Sequence, residues 1–405
     1  MEKIKVIDAR MGRGKTSAAI RYMEENKETK RFLYITPYLK EMDRICDKCD
    51  FDVQKPEYPN NNGPKLKKLK QLLRDGKNVV TTHALFLLLD EEALDIIRDK
   101  NYCLIVDEEL QVVDDIWYSK EDLEIAINAG LVRRDGDRVV WVKDDYSGNV
   151  FAELREMVRT KEVLFDGTRV ATVMNPSLLE AFSEVTLMTY MFKWQYQRAY
   201  LDLHGFQYEI CGIDDSDGYR FSDKPDAPPK IDYSSLITIV EDDVLNSVGN
   251  EKPSALSKSW YSNAKNASKI KTLKTNMDSF MRRKNGPKGM MWTCFADYQE
   301  KLYGERNRYK KKWLALNARA TNDFHKSGRL AYMVNRYCVP PVIDFFNGHN
   351  LGINEDKLVL SEMLQWIWRS RIRDNKEIVV YIPSKRMRNL LKGWIEDVSK
   401  GGDAE

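Results

Sequence analysis

Ala9-Arg10-Met11-Gly12-Arg13-Gly14-Lys15-Thr16, running on into Ser17-Ala18-Ala19-Ile20, is the stretch from which the fold is read. It stands directly after the β-prone run Lys3 to Asp8 and directly before a helix-compatible run, so its glycines fall at a strand-to-helix turn. Glycine there lets successive backbone N–H groups curl around an anion, and the N-terminus of the following helix adds its partial positive charge. Lys15 then reaches the β and γ phosphates and the Thr16 hydroxyl can ligate Mg²⁺. Met11, Gly12, Arg13, Gly14, Lys15, Thr16 and Ser17 together form the expected cradle, which makes ATP with Mg²⁺ the expected cofactor pair.

Outward from this loop, short β-rich runs alternate with helical patterns: Phe32 to Thr36, a helix from Leu39, Asn78 to Thr82 and Cys103 to Asp107. That alternation predicts a mostly parallel sheet covered by helices. Cys103-Leu104-Ile105-Val106 is continuously apolar, as fits a strand buried on both faces. Asp107-Glu108-Glu109 follows it, which predicts that Asp107 holds the Mg²⁺ and Glu108 activates the attacking water. Asp135-Gly136 between β-prone flanks predicts a hairpin, and Arg169 to Met174 and Val185 to Tyr190 are expected to complete the first sheet.

With 405 residues, the chain exceeds one ordinary core and suits two or three domains. Its net charge of +3 conceals segregation: about −5 over 1–210, about −6 over 211–250 and about +14 over 251–405. A basic C-terminal part is the electrostatic footprint of a protein that touches phosphate backbones. No apolar stretch approaches the roughly 20 residues that span a bilayer, and the N-terminus lacks a signal-peptide core, so the expected compartment is the cytoplasm, with no membrane partner. The acidic, Asp- and Pro-rich stretch from Gly212 to Lys252 is expected to connect domains, and Met290 to Phe295, Trp313 to Asn317 and Glu377 to Ile382 are expected strands of a second α/β domain.

Ala-x-x-Gly-x-Gly-Lys-Thr resembles motif I of superfamily 1 and 2 helicases, and Met-Gly-x-Gly-Lys-Thr is similar to that of viral origin-binding helicases. Asp107-Glu108-Glu109 occupies the place of the Walker B or DExx element. Phe32-Leu33-Tyr34-Ile35-Thr36-Pro37 resembles motif Ia, and Val79-Val80-Thr81-Thr82-His83 resembles the Thr-rich strand end before motif II. Leu187-Met188-Thr189-Tyr190 stands in the position of motif III. Asn317-Ala318-Arg319-Ala320-Thr321-Asn322-Asp323 stands in that of motif V, and Leu364-Gln365-Trp366-Ile367-Trp368-Arg369-Ser370-Arg371-Ile372-Arg373 resembles motif VI. The resemblance implies nucleic-acid contacts from Thr36, Pro37, Thr82, His83, Arg319 and Thr321. It also implies that Gln365, Arg369 and Arg373, read as one helical face, reach the ATP phosphates, with Arg371 competing for the second arginine role.

The resulting expectation is an α/β protein of two RecA-like domains with parallel sheets and a helical or irregular insertion between them: 1–211, 212–285 and 286–405. The implied activity is a superfamily 2, phage-type, nucleic-acid-stimulated ATP hydrolase that moves on or unwinds single-stranded or forked DNA in replication or recombination. RNA is left open as the substrate, and replication proteins are implied partners. The alternatives are a non-catalytic nucleic-acid-binding protein on a motor scaffold, or a packaging ATPase of terminase type. Cys46-Asp47-Lys48-Cys49 lacks a second ligand pair, and the tryptophans are expected to fill the core.

Overall fold

The computed structural model describes residues 3–57, 63–114, 118–226, 231–283, 285–316 and 323–400. They fall into two compact units, the first Met1–Asp226 with Cys338–Ile353 and the second Ala227–Tyr337 with Asn354–Glu405. Strands of the first unit are β1 Ile4–Asp8, β2 Arg31–Thr36, β3 Val53–Gln54, β4 Asn78–Thr82, β5 Tyr102–Asp107, β6 Val132–Asp135, β7 Arg138–Trp141, β8 Glu162–Phe165, β9 Val170–Val173, β10 Glu184–Thr189, β11 Tyr208–Asp214 and β12 Arg220–Ser222. Those of the second are β13 Ile237–Ile239, β14 Met290–Thr293, β15 Arg329–Tyr332 and β16 Ile378–Tyr381.

The main sheet of the first unit runs β12-β11-β1-β10-β5-β2-β4-β3, parallel throughout except for β12. All six residues of β5 are buried, as its continuous apolar run requires. β10 separates β1 from β5, in a register that pairs Asp8 with Thr189 and Met188 with Asp107. The strand before the Gly12–Gly14 turn and the Asp107 strand therefore end at one edge of the sheet, where ligands of open parallel sheets bind.

The hairpin expected at Asp135-Gly136 forms as β6–β7, with Asp135 opposite Arg138. The two turn residues are thus Gly136 and Asp137, and Gly136 has φ +62°, the first central position that a type II′ turn reserves for glycine. Two sequence expectations change here. β9 (from the expected strand Arg169 to Met174) joins β6, β7 and β8 in a separate antiparallel sheet, and only β10 enters the main sheet. The acidic stretch from Gly212 is likewise not simply a connection, because β11 and β12 extend the main sheet through Ser222.

The second unit has a parallel four-stranded sheet, β13-β16-β15-β14. Trp292 and Trp366 are fully buried there, and Trp368, Trp394 and Tyr233 pack edge to face or tilted with ring centroids 5.2–5.4 Å apart, so these tryptophans are core. Of the strand expected over Trp313 to Asn317, the described part forms a single parallel bridge from Trp313 to Trp292. The expected boundaries at 211 and 285 differ from the division between units. β13 lies in the second sheet, and the helix Pro340–Gly348 belongs to the first unit, where Val342, Phe345 and Phe346 enter the core cluster. That segment is tied down by Arg198, whose Nη2 donates to Leu351 O at 2.6 Å, and by the His349–Asp137 contact at 3.0 Å. Among the described residues no helix is long and apolar enough to cross a membrane.

Candidate functional site

β1 ends at Asp8, and the chain then turns through Ala9–Gly14 into the helix Lys15–Asn26. Gly12 and Gly14 have φ of +84° and +83°, a left-handed conformation that costs a side-chain-bearing residue about 1–2 kcal/mol and glycine nothing. Gly14 is the N-cap, so the first N–H groups of the helix are left for an external acceptor. The Lys15 ammonium is buried under this loop, where it donates to Ala9 O and, at 3.3 Å, to Arg10 O. Positive charge and unused donors are thereby gathered at one concave turn.

Facing it is the end of β5. Asp107 is buried, and the Tyr34 hydroxyl donates to its Oδ2 at 2.9 Å. The Thr16 side chain hydrogen-bonds the same phenol. Burial pushes the Asp107 carboxyl up to about 6, the adjacent Glu108 charge pushes the same way, and Tyr34, Lys15 and Arg44 oppose both. The structure therefore brings Lys15, Thr16, Asp107 and Glu108 together, and it adds Tyr34 and Arg44. Glu108 is half-buried with φ +69°, a backbone strain of the kind held at functional sites. Gln197 fixes the loop beyond it by accepting from Leu110 N at 2.9 Å.

The sheet edge between the two halves is stitched to the turn. Ala9 N donates to Thr189 O at 3.1 Å and Phe192 N to Asp8 Oδ2 at 3.0 Å, so the segment in the motif III position touches the end of β1 and the start of the turn. Arg13 turns away from the turn toward the β11–β12 side: it bonds Asp226 at 3.0–3.2 Å, Ile213 O at 2.9 Å and also Asp215. Tyr219, from the same hairpin, lies against Gly14, where an added Cβ would meet its ring at 2.2 Å. Gly14→Ala is therefore expected to weaken ATP binding at least about ten-fold, since it combines about 1–2 kcal/mol of left-handed backbone cost with displacement of the ring. Gly14→Ala with Tyr219→Ala should recover only the part due to the ring, which an equilibrium titration would read.

Asp107 also gives a pH signature. Its folded pKa is raised, so its contribution favours folding below the ordinary carboxylate pKa and is lost as pH rises through about 6. Asp107→Asn, which can still accept from Tyr34, is expected to melt higher than the parent above pH 6. The gap should close as pH falls toward 4; a gap independent of pH would contradict the raised value.

The other expected residues are placed less uniformly. Thr36 has no exposed surface, His83 is buried, Pro37 is half-buried, and the Thr82 hydroxyl caps a short helix by accepting from Leu85 N at 3.2 Å. Among these four, Pro37 and Thr82 have surface to offer. Arg319 and Thr321 lie outside the described residues. In the second unit Gln365 and Arg369 are buried, on and just beyond the helix Glu355–Ile367. The expected single helical face with Arg373 is not formed. Ser370 turns extended, with ψ −173° and its hydroxyl donating to Ile367 O at 2.6 Å, and Arg373 falls in a separate 3₁₀ turn, Arg371–Asp374. Sequence reading missed Tyr34, Arg44, Gln197 and Tyr219; only their spacing from the loops in three dimensions, which no motif carries, marks them.

Comparison with known proteins adds three findings. The family model described as the YonV C-terminal Rossmann-like domain matches residues 231–395. The SPbeta prophage-derived protein YonV of Bacillus subtilis (strain 168) is 35% identical over 415 aligned positions, which cover 98% of this chain and all of that protein. Among solved structures, apo XPD superposes with a TM-score of 0.50 at 11% identity, covering 96% of this chain and 95% of that one, and an XPD helicase structure gives 0.45 at 11% identity over 96% and 94%. The fold is thus a two-domain RecA-like α/β fold with parallel sheets, as in apo XPD. On the strength of the near-complete match in sequence, the chain belongs to the YonV family.

Proposed function

We propose that the chain is an ATP-dependent nucleic-acid translocase or helicase of superfamily 2 type, acting on DNA in phage replication or recombination. The observation that carries this reading is the convergence of Lys15 and Thr16 with Asp107 and Glu108 at one sheet edge. The prophage origin of the YonV relative and the basic C-terminal part support the nucleic-acid and phage elements of the proposal.

The residues present fit a triphosphate with Mg²⁺. Two left-handed glycines leave a cradle of N–H groups, and a buried carboxyl whose ionisation is disfavoured by burial lies beside a hydroxyl, a donor set for a hard cation. Thr16 and Asp107 would hold the ion, which supplies charge neutralisation at the phosphates when bound. Lys15 binds and orients the β and γ phosphates, and Glu108, more exposed than Asp107, accepts the proton of the attacking water. The family resemblance assigns Gln365, Arg369 and Arg373 to phosphate charge stabilisation during turnover, and Pro37, Thr82, Arg319 and Thr321 to strand contacts. ATP turnover measured with and without single-stranded DNA, and with RNA, tests the proposal: DNA-stimulated turnover is expected. Absent turnover with intact DNA binding would favour a non-catalytic binding protein.

A further inference from the structure

The second unit holds a cavity of about 530 Å³ that the ATP-site reading does not use. It opens at the N-terminal edge of the parallel sheet, beside Met290 and Arg329, the paired first residues of β14 and β15. Parallel-sheet ligand sites lie at the opposite, C-terminal edge, so this cavity is separate from any site of that kind.

Its wall is cationic. The helix Ala267–Met281 ends there and presents Arg282 and Arg283, while the basic run seen in the sequence brings Arg308 and Lys312; all four are exposed. Arg329 is buried and acts as the anchor, donating to Met281 O at 3.1 Å and Asn285 O at 2.7 Å, which fixes the chain leaving the helix. Among the described residues the carboxylates that pair with these cations are Asp278, shared by Arg282 at 2.7 Å and Arg308 at 3.7 Å, and Asp242, paired with Arg283 at 2.9 Å. The helix C-terminus adds only about half a negative charge. Two carboxylates and that half charge leave the five cations with a net positive balance, which favours an anion beside them. Beside them, buried Tyr309 and the Met281 and Met290 side chains give the cavity an apolar and aromatic side. Its hydroxyl donates to Asp278 Oδ1 at 2.8 Å, which holds Tyr309 in place.

We infer that this cavity is a second nucleic-acid site, binding one or two phosphodiester groups of a single strand on Arg282, Arg283, Arg308 and Lys312, with a base entering beside half-buried Met290. The inference rests on the nucleic-acid reading above and specifies a surface for it. Single-stranded DNA is favoured over a free nucleotide because four of the five cations are exposed along the rim and only Arg329 is buried.

The test is fluorescence anisotropy of the full chain with a labelled single-stranded oligonucleotide across a salt series. The parent is compared with Arg308→Glu/Lys312→Glu, with Lys312→Ala alone, and with Lys65→Glu/Lys67→Glu, a control of equal charge change on an exposed helix of the first unit. The double reversal is expected to weaken binding at least about ten-fold and to flatten the slope of log K against log salt by about 0.7 per lost phosphate contact, with Lys312→Ala showing a smaller change of the same kind. Basal ATP turnover should stay at the parent value. Unchanged affinity and slope, or an equal fall in the Lys65/Lys67 control, would overturn the inference. So would a loss confined to free ATP or inorganic triphosphate binding. A parent that binds no oligonucleotide defeats the nucleic-acid reading itself; a parent that binds, with a double reversal that binds equally well, defeats this site alone.

Discussion

Lys15→Ala is expected to lower ATP turnover about a thousand-fold and to abolish most nucleotide affinity, whereas Glu108→Gln is expected to lose turnover to a similar extent and still bind ATP. The contrast follows from position. Lys15 is buried under the turn, its ammonium held by Ala9 O and Arg10 O, so in the free protein its charge is already fixed at the turn. Removing it takes away a preorganised cation from both the bound and the reacting phosphates, and such groups are each worth about 10²–10³ in rate. Glu108 sits at the mouth, half-buried, past the residue that would hold the metal. Its amide isostere keeps volume and hydrogen bonding but cannot take up the water proton, a role worth about 10²–10⁴ in rate. Paired measurements of nucleotide affinity and single-turnover hydrolysis check this. Equal loss of affinity in both variants would contradict the assignment of Glu108 to the proton transfer.

Gly249→Ala is expected to destabilise the second unit by about 3 kcal/mol without touching the nucleotide turn. Gly249 lies in the helix Asp243–Asn250, and an added Cβ would come 1.9 Å from Pro383 O, a backbone atom that cannot swing aside. The helix cannot retreat either. Leu245 O accepts from Asn276 Nδ2 at 3.0 Å and from Tyr381 Oη, and Asn246 Nδ2 donates to Val240 O at 3.0 Å. On the other side, Pro383 O is held by Arg388 Nη1 at 3.0 Å. At roughly 2–4 °C per kcal/mol for a unit of this size, the melting transition should fall by about 6–12 °C. Buried Trp260, Trp292, Trp366 and Trp394 lie in the same unit and report it by fluorescence. An unchanged transition would mean that the helix has freedom these contacts deny it.

Much of the architecture can be read from local pattern because its signals are local. Gly12, Gly14, Lys15 and Thr16 are consecutive, a strand-to-helix turn has few solutions, and the apolar run before Asp107 declares a strand buried on both faces. The places where reading failed are those decided by tertiary partners. β9 has the composition of any buried strand, and nothing within it says that it pairs with β8 rather than with the main sheet. Val342, Phe345 and Phe346 show a clear helical face, but that face fits either core, and the first unit takes it. The spacing of Gln365, Arg369 and Arg373 is helical on paper, but the helix ends at Ile367 and an extended Ser370 separates it from Arg373. In the site, Tyr34 stands within the motif Ia stretch with no role implied for it, yet its hydroxyl is the link between Thr16 and Asp107.

Calorimetric titration of ATP with Mg²⁺ into the parent chain, Lys15→Ala and Asp107→Asn tests the nucleotide site most directly. One site per chain is expected in the parent, lost in Lys15→Ala, and in Asp107→Asn weakened in Mg²⁺ but little changed when Mg²⁺ is chelated. A parent that takes up no ATP, or a Lys15→Ala variant that takes it up as well as the parent, would contradict the account.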